Sequence, residues 1–169
     1  MKEIEVKILD IDREELIEKL EKLNATKKYD LIVEDYFFKC KSGEVLRIRK
    51  IGSQVILTHK SQREKNTSIK QRTETEIMSN DLDSSIEFLE KLGFKKQSKN
   101  IKRRLKYEYK NSEIVFDKYF GDKDFIPEFI EIEAESKQKI IEIAKNLGFT
   151  ENDFFSGSTK DLVEKYKKN

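Results

Sequence analysis

The 169-residue chain is poor in residues that cross-link, bind zinc or break secondary structure: one cysteine, one histidine, one proline and six glycines. A lone Cys40 can form no internal disulfide and reads as a tolerated thiol in FFKCKSGE. With His59 the only histidine and no cysteine pair, zinc sites of the His- or thiolate-rich kind are excluded. One proline and six glycines leave no room for a flexible linker, so residues 1–169 are read as a single domain. No apolar run approaches the length of a membrane span, and the N-terminus carries no signal-peptide pattern. The expectation is a soluble cytoplasmic protein with no membrane partner. Neither sign of charge dominates: 35 basic and 33 acidic residues leave a net charge of +2, which argues against a nucleic-acid or other plain polyanion binder.

What the chain does have is charge of both signs, 40% of its residues, interleaved with regularly spaced apolar positions. Helical spacing occurs four times. Asp12 can cap a helix with the stripe Leu16, Ile17, Leu20 and Leu23. A second begins near Asp81, carries Leu82, Ile86, Leu89 and Leu92, and stops at Gly93. Ser136 opens a third, with Ile140, Ile141, Ala144 and Leu147, closed by Gly148. Ser158 caps a short last helix through Leu162 and Tyr166. Between them lie eight strand patterns, at residues 2–9, 32–39, 45–50, 54–60, 71–77, 101–109, 113–119 and 128–134. Short polar turns such as KSGE and KNSE favour antiparallel hairpins, and SQREKNTSIK, residues 61–70, reads as a mobile loop. The fold class is therefore α+β, and eight antiparallel strands can close into a barrel with the helices outside.

Strand alternation then sorts the charges by face. KEIEVKI places Glu3, Glu5 and Lys7 opposite Ile4, Val6 and Ile8. VLRIRK groups Arg47 with Arg49, and ILTHK groups Thr58 with Lys60 while His59 faces outward. QRTETEI supplies Arg72, Glu74 and Glu76; IKRRLKY supplies Lys102 and Arg104; EIVFD supplies Asp117; FIEIEAE supplies Glu131 and Glu133. These are seven bases and seven acids from seven strands, grouped as ExExK, RxR and RxExE. Any one strand alone is an ordinary amphipathic strand, and an ion-pair network could account for a few. The whole set matches the needs of a polyphosphate with a divalent metal. Arginine and lysine bind phosphate oxygens, while Mg²⁺ or Mn²⁺ takes carboxylate oxygens. Charges packed inside a barrel are costly without such partners, so their presence points to chemistry.

These motifs resemble those of the CYTH superfamily, which includes class IV adenylyl cyclases and thiamine triphosphatases and whose members are also called triphosphate tunnel metalloenzymes. The family's ExExK stands as Glu3-Ile4-Glu5-Val6-Lys7, its LRIR as Leu46-Arg47-Ile48-Arg49, and its Thr-x-Lys as Thr58-His59-Lys60. RxExE is Arg72-Thr73-Glu74-Thr75-Glu76, KxR is Lys102-Arg103-Arg104, the lone aspartate is Asp117, and the closing ExE is Glu131-Ile132-Glu133. Two positions depart from the pattern: Pro127 stands where the family has glycine, and the C-terminal Ser-Tyr-x-x-Leu is reduced to Ser158 with Leu162.

The resemblance implies an eight-stranded antiparallel closed barrel enclosing a triphosphate tunnel. Arg47, Arg49, Lys60, Arg72, Lys102 and Arg104 would bind phosphates, and Glu3, Glu5, Asp117, Glu131 and Glu133 would include the ligands of two Mg²⁺ or Mn²⁺ ions. Glu74 and Glu76 would support them. Lys7, Glu5 and Lys60 are the candidate catalytic groups, with Lys7 either a phosphate ligand or a base. Three activities fit: cyclisation of ATP to cyclic AMP and pyrophosphate, nearest the class IV cyclases; hydrolysis of thiamine triphosphate, tripolyphosphate or a nucleoside triphosphate; and binding without turnover. The expected partner is a triphosphate-bearing small molecule, with a homodimer left open.

Overall fold

Strict alternation makes each strand two-faced, and in the structure, a computed structural model, the two faces meet different surroundings. It describes residues 2–62 and 70–167, excepting the side chains of Lys2, Glu3, Lys70 and Gln71. Residues 63–69 of the predicted 61–70 loop, and the Glu3 side chain, therefore lie outside the described residues, while Lys70 opens a strand.

The described residues form nine strands and four helices: β1 (Lys2–Ile8), α1 (Arg13–Lys22), β2 (Thr26–Phe38), β3 (Val45–Ile51), β4 (Gln54–Lys60), β5 (Lys70–Ser79), α2 (Leu82–Lys91), β6 (Lys96–Tyr109), β7 (Ser112–Tyr119), β8 (Phe129–Ala134), α3 (Lys137–Leu147), β9 (Phe154–Phe155) and α4 (Thr159–Tyr166). All pairings are antiparallel, in the order β5-β4-β3-β2-β6-β7-β8-β1-β9. β1 also pairs with β5, from Lys2 opposite Thr73 to Glu5 opposite Lys70. The fold is α+β, one large antiparallel sheet with four helices.

The helix boundaries follow the predicted caps. Asp12 accepts from the backbone N–H groups of Glu14 and Glu15, Asp81 from Ser84, Ser136 from Lys139 and Ser158 from Asp161. Gly93 and Gly148 both take positive φ just past their helices, as C-terminal caps require.

Three strands depart from expectation. β2 begins at Thr26 and β6 at Lys96, each earlier than its apolar alternation suggests, and β9 has no strand pattern at all. The early parts of β2 and β6 are polar, and each is held by the later, alternating part of the other strand, from Thr26 opposite Glu108 to Phe38 opposite Lys96. A nonlocal partner, not local propensity, makes them strands.

The outward faces supply the core. Ile4, Val6 and Ile8 of β1 join Leu105 and Tyr107 of β6, Ile114 and Phe116 of β7, and Ile130 and Ile132 of β8. Leu16 and Leu20 of α1 and Ile140, Ile143 and Leu147 of α3 cover them. On the other side α2 packs Leu89 on Tyr36, Phe38, Ile48 and Val55. A third cluster, Tyr119, Ile126 and Phe129 with Leu162, seats α4 near the ends of β7 and β8. The apolar faces are thus spent on helices, and the charged faces are left to one another.

Candidate functional site

The inward faces enclose a cavity of about 1580 Å³. Its wall includes Glu5, Lys7, Arg47, Arg49, Lys60, Arg72, Glu74, Glu76, Lys102, Arg104, Glu131 and Glu133. Of the sequence-predicted site residues whose side chains are described, all but Asp117 are thus brought to one space. His59 lies on the opposite face of β4, exposed and 3.3 Å from Glu44.

The order of charges around the wall follows from strand register. Side chains directly opposite in neighbouring antiparallel strands share a face. Glu113, Glu133 and Glu5 lie opposite one another across β7, β8 and β1, so three acids stand in one row. The next inward row of β8 and β1 pairs Glu131 with Lys7. Arg47 lies opposite Thr58 and Thr58 opposite Glu76, while Lys60 lies opposite Glu74.

Two carboxylates sit behind the bases. Asp117 is completely buried; it accepts from Arg104 Nε at 2.7 Å and Nη2 at 2.5 Å, and from Lys102 Nζ at 2.6 Å. Arg104 Nη2 also donates to Glu131 at 2.9 Å. Asp35, 3% exposed, holds Arg49 in the same fork, at 2.7 and 3.0 Å, and lies 3.7 Å from Arg47 Nε. Lys7 Nζ lies 2.9 Å from Glu131 and 3.4 Å from Glu5, and Lys60 Nζ lies 3.1 Å from Glu74. Thr58, wholly buried, accepts from Arg47 and donates to Glu76.

The charges do not fully satisfy one another. Arg47 Nε and Arg72 Nε are buried without a hydrogen-bond partner. Burial and then the neighbouring Arg104 guanidinium bring the Lys102 ammonium down to about 8, against the pull of Asp117. On the acidic side, burial and then Glu113 and Glu5 push the Glu133 carboxyl up to about 7. Elsewhere opposite charges win. Burial opposes ionisation of Asp35, yet Arg49 and Arg47 hold its carboxyl far below the usual range. Burial likewise opposes Lys7, but Glu131 and Glu5 keep its pKa above that of an ordinary lysine. One wall is short of an anion and the other of a cation.

Asp35, Glu113 and Lys106 were not singled out from the sequence. Lys106 pairs with Glu113, and both line the cavity. Asp35 was findable as the one acid at an inward position of the run IVEDYFF, alternating with Val33 and Phe37. Glu113 sits at the start of β7, where alternation is too short to show its face. Lys123, which donates to Asn100 at 2.7 Å, comes from the short 3-10 turn Gly121–Lys123 and carries no strand signal.

Among the described residues, no three acidic, histidine or cysteine side chains form a ready-made metal site. The donor chemistry nevertheless fits a hard divalent cation, because Glu113, Glu133 and Glu5 stand in one row across three strands and offer only oxygen donors.

Comparison with known proteins places this geometry in context. The CYTH domain family matches residues 1–161. No curated protein matches the sequence. Among solved structures, the PH1012 protein of Pyrococcus horikoshii is 27% identical, with a TM-score of 0.80 over 95% of this chain and 98% of that one. A candidate adenylate cyclase from Vibrio parahaemolyticus is 16% identical, with a TM-score of 0.79 over 96% and 97% of the two chains. HpAC1 from Hippeastrum, a candidate adenylyl cyclase described as having a dominant triphosphatase activity, is 15% identical, with a TM-score of 0.65 over 96% and 95%. The latter two likenesses are likenesses of fold.

Proposed function

This chain belongs to the CYTH domain family, and on that premise we propose that it is a divalent-metal-dependent enzyme acting on a triphosphate inside the charged cavity, as a class IV adenylyl cyclase-like protein converting ATP to cyclic AMP and pyrophosphate. One observation carries the reading: the wall has unmet demand of both signs. Arg47 and Arg72 have buried N–H donors without acceptors. Glu133 is crowded by Glu113 and Glu5. A triphosphate with its metal would answer both demands at once.

We take the eight strands β1 to β8 as a closed tunnel, supported by the β1–β5 pairing. Arg47, Arg49, Arg72, Lys60, Lys102 and Arg104 bind phosphate oxygens and stabilise charge that develops on them. Asp35 and Asp117, with their oxygens taken up by Arg49, Arg104 and Lys102, hold those bases in place. This gives Asp117 a positioning task instead of a direct place on a metal. Glu5 and Glu133, joined by Glu113 and Glu131, would hold Mg²⁺ or Mn²⁺, with Glu3 contributing from the start of β1. When bound, the metal neutralises phosphate charge and activates the nucleophile. Lys7, paired with Glu131 at 2.9 Å, balances charge beside the phosphates and takes no part as a base. Glu74 and Glu76 orient Lys60 and, through Thr58, Arg47.

Hydrolysis of the terminal phosphate is the second reading. The same clamp serves it, and it is favoured by a cavity whose wall extends to the exposed Lys41 and Gly43, giving water a way in. The test is to incubate the protein with ATP or tripolyphosphate and Mg²⁺ or Mn²⁺, and to resolve products by phosphorus NMR. Cyclic AMP with pyrophosphate is the expected result. Orthophosphate without a cyclic product selects the triphosphatase reading, and no product from either substrate overturns both.

A further inference from the structure

The run TETEIMS, residues 73–79, alternates as a strand should, with Glu74, Glu76 and Met78 on one face and Thr75, Ile77 and Ser79 on the other. In the fold its two edges fare differently. β4 pairs along one edge of β5 from Glu74 to Ser79. On the other edge β1 covers only Lys70 to Thr73. Among the described residues, no strand pairs with that edge from Thr75 to Ser79. An antiparallel edge turns backbone N–H and C=O groups outward at alternate residues, so this stretch is a template for a further strand. Ile77 and Met78, one on each face, are both 61% exposed.

Helix α2 adds to the same surface. Ile77 lies opposite Leu57, which packs into the cluster beneath α2, so Ile77 stands on the helix side of the sheet. Ser85 of α2 is buried, with its Oγ 2.7 Å from Ser79 Oγ, and this turns its flank of the helix towards β5. Phe88 and Leu92 follow Ser85 at i+3 and i+7, the spacing of one helix flank. They are 59% and 60% exposed, while Ile86 and Leu89 pack on the sheet. Charge beside Phe88 is already balanced, since Lys91 pairs with Glu87 at 2.7 Å. An open strand edge and an apolar helix flank thus lie side by side.

We propose that this edge joins a second copy of the chain, β5 against β5, in an antiparallel register centred on Ile77. A two-fold axis perpendicular to the sheet carries each face onto itself, so only residues of the same face can stand opposite one another. Centring on Ile77 sets Ile77 against its own copy, Glu76 against Met78 and Thr75 against Ser79. Each Glu76 carboxylate then faces a neutral residue. Centring one residue earlier would oppose two Glu76 carboxylates, which is repulsive. The same axis brings the Phe88 and Leu92 flanks of the two α2 helices towards each other above the Ile77 pair. The surface is therefore its own complement, as an isologous interface requires. A foreign strand pairing here would have to bring an apolar flank of its own to cover Phe88 and Leu92. In the dimer Met78 of the partner copy lies beside Glu76 and extends the cavity wall past its open edge.

The test is sedimentation velocity over about 1–100 µM protein, since an interface of one strand and one helix flank per copy is small and associates weakly. The native protein is expected to pass from monomer to dimer in that range. Ile77→Lys sets two ammonium groups opposite each other and is expected to weaken association about 100-fold; Phe88→Ser is expected to weaken it about ten-fold. Both side chains are more than half exposed, so the unfolding midpoints should stay in place. A cysteine pair reads the register whatever Ile77→Lys does to folding. In a Cys40→Ser background, Ile77→Cys is expected to cross-link two chains under diamide and Thr75→Cys is not, because Thr75 stands opposite Ser79. A native protein that stays monomeric leaves the edge to a foreign strand and overturns the assignment. So does a dimer that Ile77→Lys leaves intact, which places the interface elsewhere. Equal cross-linking from Thr75→Cys and Ile77→Cys is the mark of random encounter and overturns it too.

Discussion

Asp117 shows how much depends on single buried charges. It faces Lys102 and Arg104 with no exposure to solvent, so neutralising it strands two cations in a low-dielectric wall. Asp117→Asn is expected to cost about 3 kcal/mol in denaturant unfolding and to weaken tripolyphosphate binding, since both bases lose their orientation. An unchanged unfolding midpoint would show that the pair carries no net interaction. Lys102 makes a pH prediction. Its pKa falls from 10.5 to about 8 under burial and Arg104, with Arg49 adding to the effect and Asp117 and Glu131 opposing it. Between these values the unfolded chain binds the extra proton, so stability from this group rises with pH across that window. A bound polyanion favours the ammonium and reverses the trend. Triphosphate binding near pH 9 should therefore take up protons, which calorimetry in buffers of different ionisation enthalpy reads directly, and affinity should fall as pH rises above 8.

Among the elements, α3 is the most exactingly placed. Its buried stripe closes the core over β1 and β8, and its end is fixed by Gly148 at φ +93. Lys19 of α1 donates to the Leu147 carbonyl at 3.0 Å, tying the two helices at that cap. A Cβ at position 148 would lie 3.1 Å from Lys19 Nζ and force a left-handed conformation on a side chain that resists it. Gly148→Ala is expected to lower stability by about 1 kcal/mol, a Tm drop of about 2–4 °C for a domain of this size. The loss should leave ligand affinity alone, because α3 lies outside the wall. Reduced tripolyphosphate affinity in this variant would mean that the helix layer and the cavity are coupled.

Across the molecule, the apo protein holds like charges together against their repulsion. Burial, then Glu113 and Glu5, raise Glu133 to about 7, so the folded state binds a proton the unfolded chain releases, and this group favours stability as pH falls from 7 towards 4.5. Glu133→Gln removes the repulsion. It is expected to raise the Tm of the metal-free protein at pH 8 while abolishing the rise in Tm that Mn²⁺ produces in the native protein. A variant that is destabilised without metal, or that still responds to Mn²⁺, would show that the acidic row is structural. On the proposed reading, stability and metal binding pull this row in opposite directions.

Alternation alone was enough to determine which charges share a face. Glu5 with Lys7, Arg47 with Arg49 and Lys102 with Arg104 each stand on the inner wall as their spacing in the chain requires, because the side-chain period of a strand is two. Helix starts at Asp12, Asp81, Ser136 and Ser158 were legible for a similar reason: a cap acts within three residues of itself. What the sequence could not carry was anything set by residues distant along the chain. The polar beginnings of β2 and β6 are strands only because each pairs with the far end of the other strand, and Glu113 joins Glu133 and Glu5 only through register across three strands. Asp117 was visible as an acid, but its partners were not, since Lys102 and Arg104 reach it from a neighbouring strand. Periodicity is a local property and survives in one dimension. Pairing, burial and the mutual shifts of charged groups are properties of distance in space, and only the folded sheet decides them.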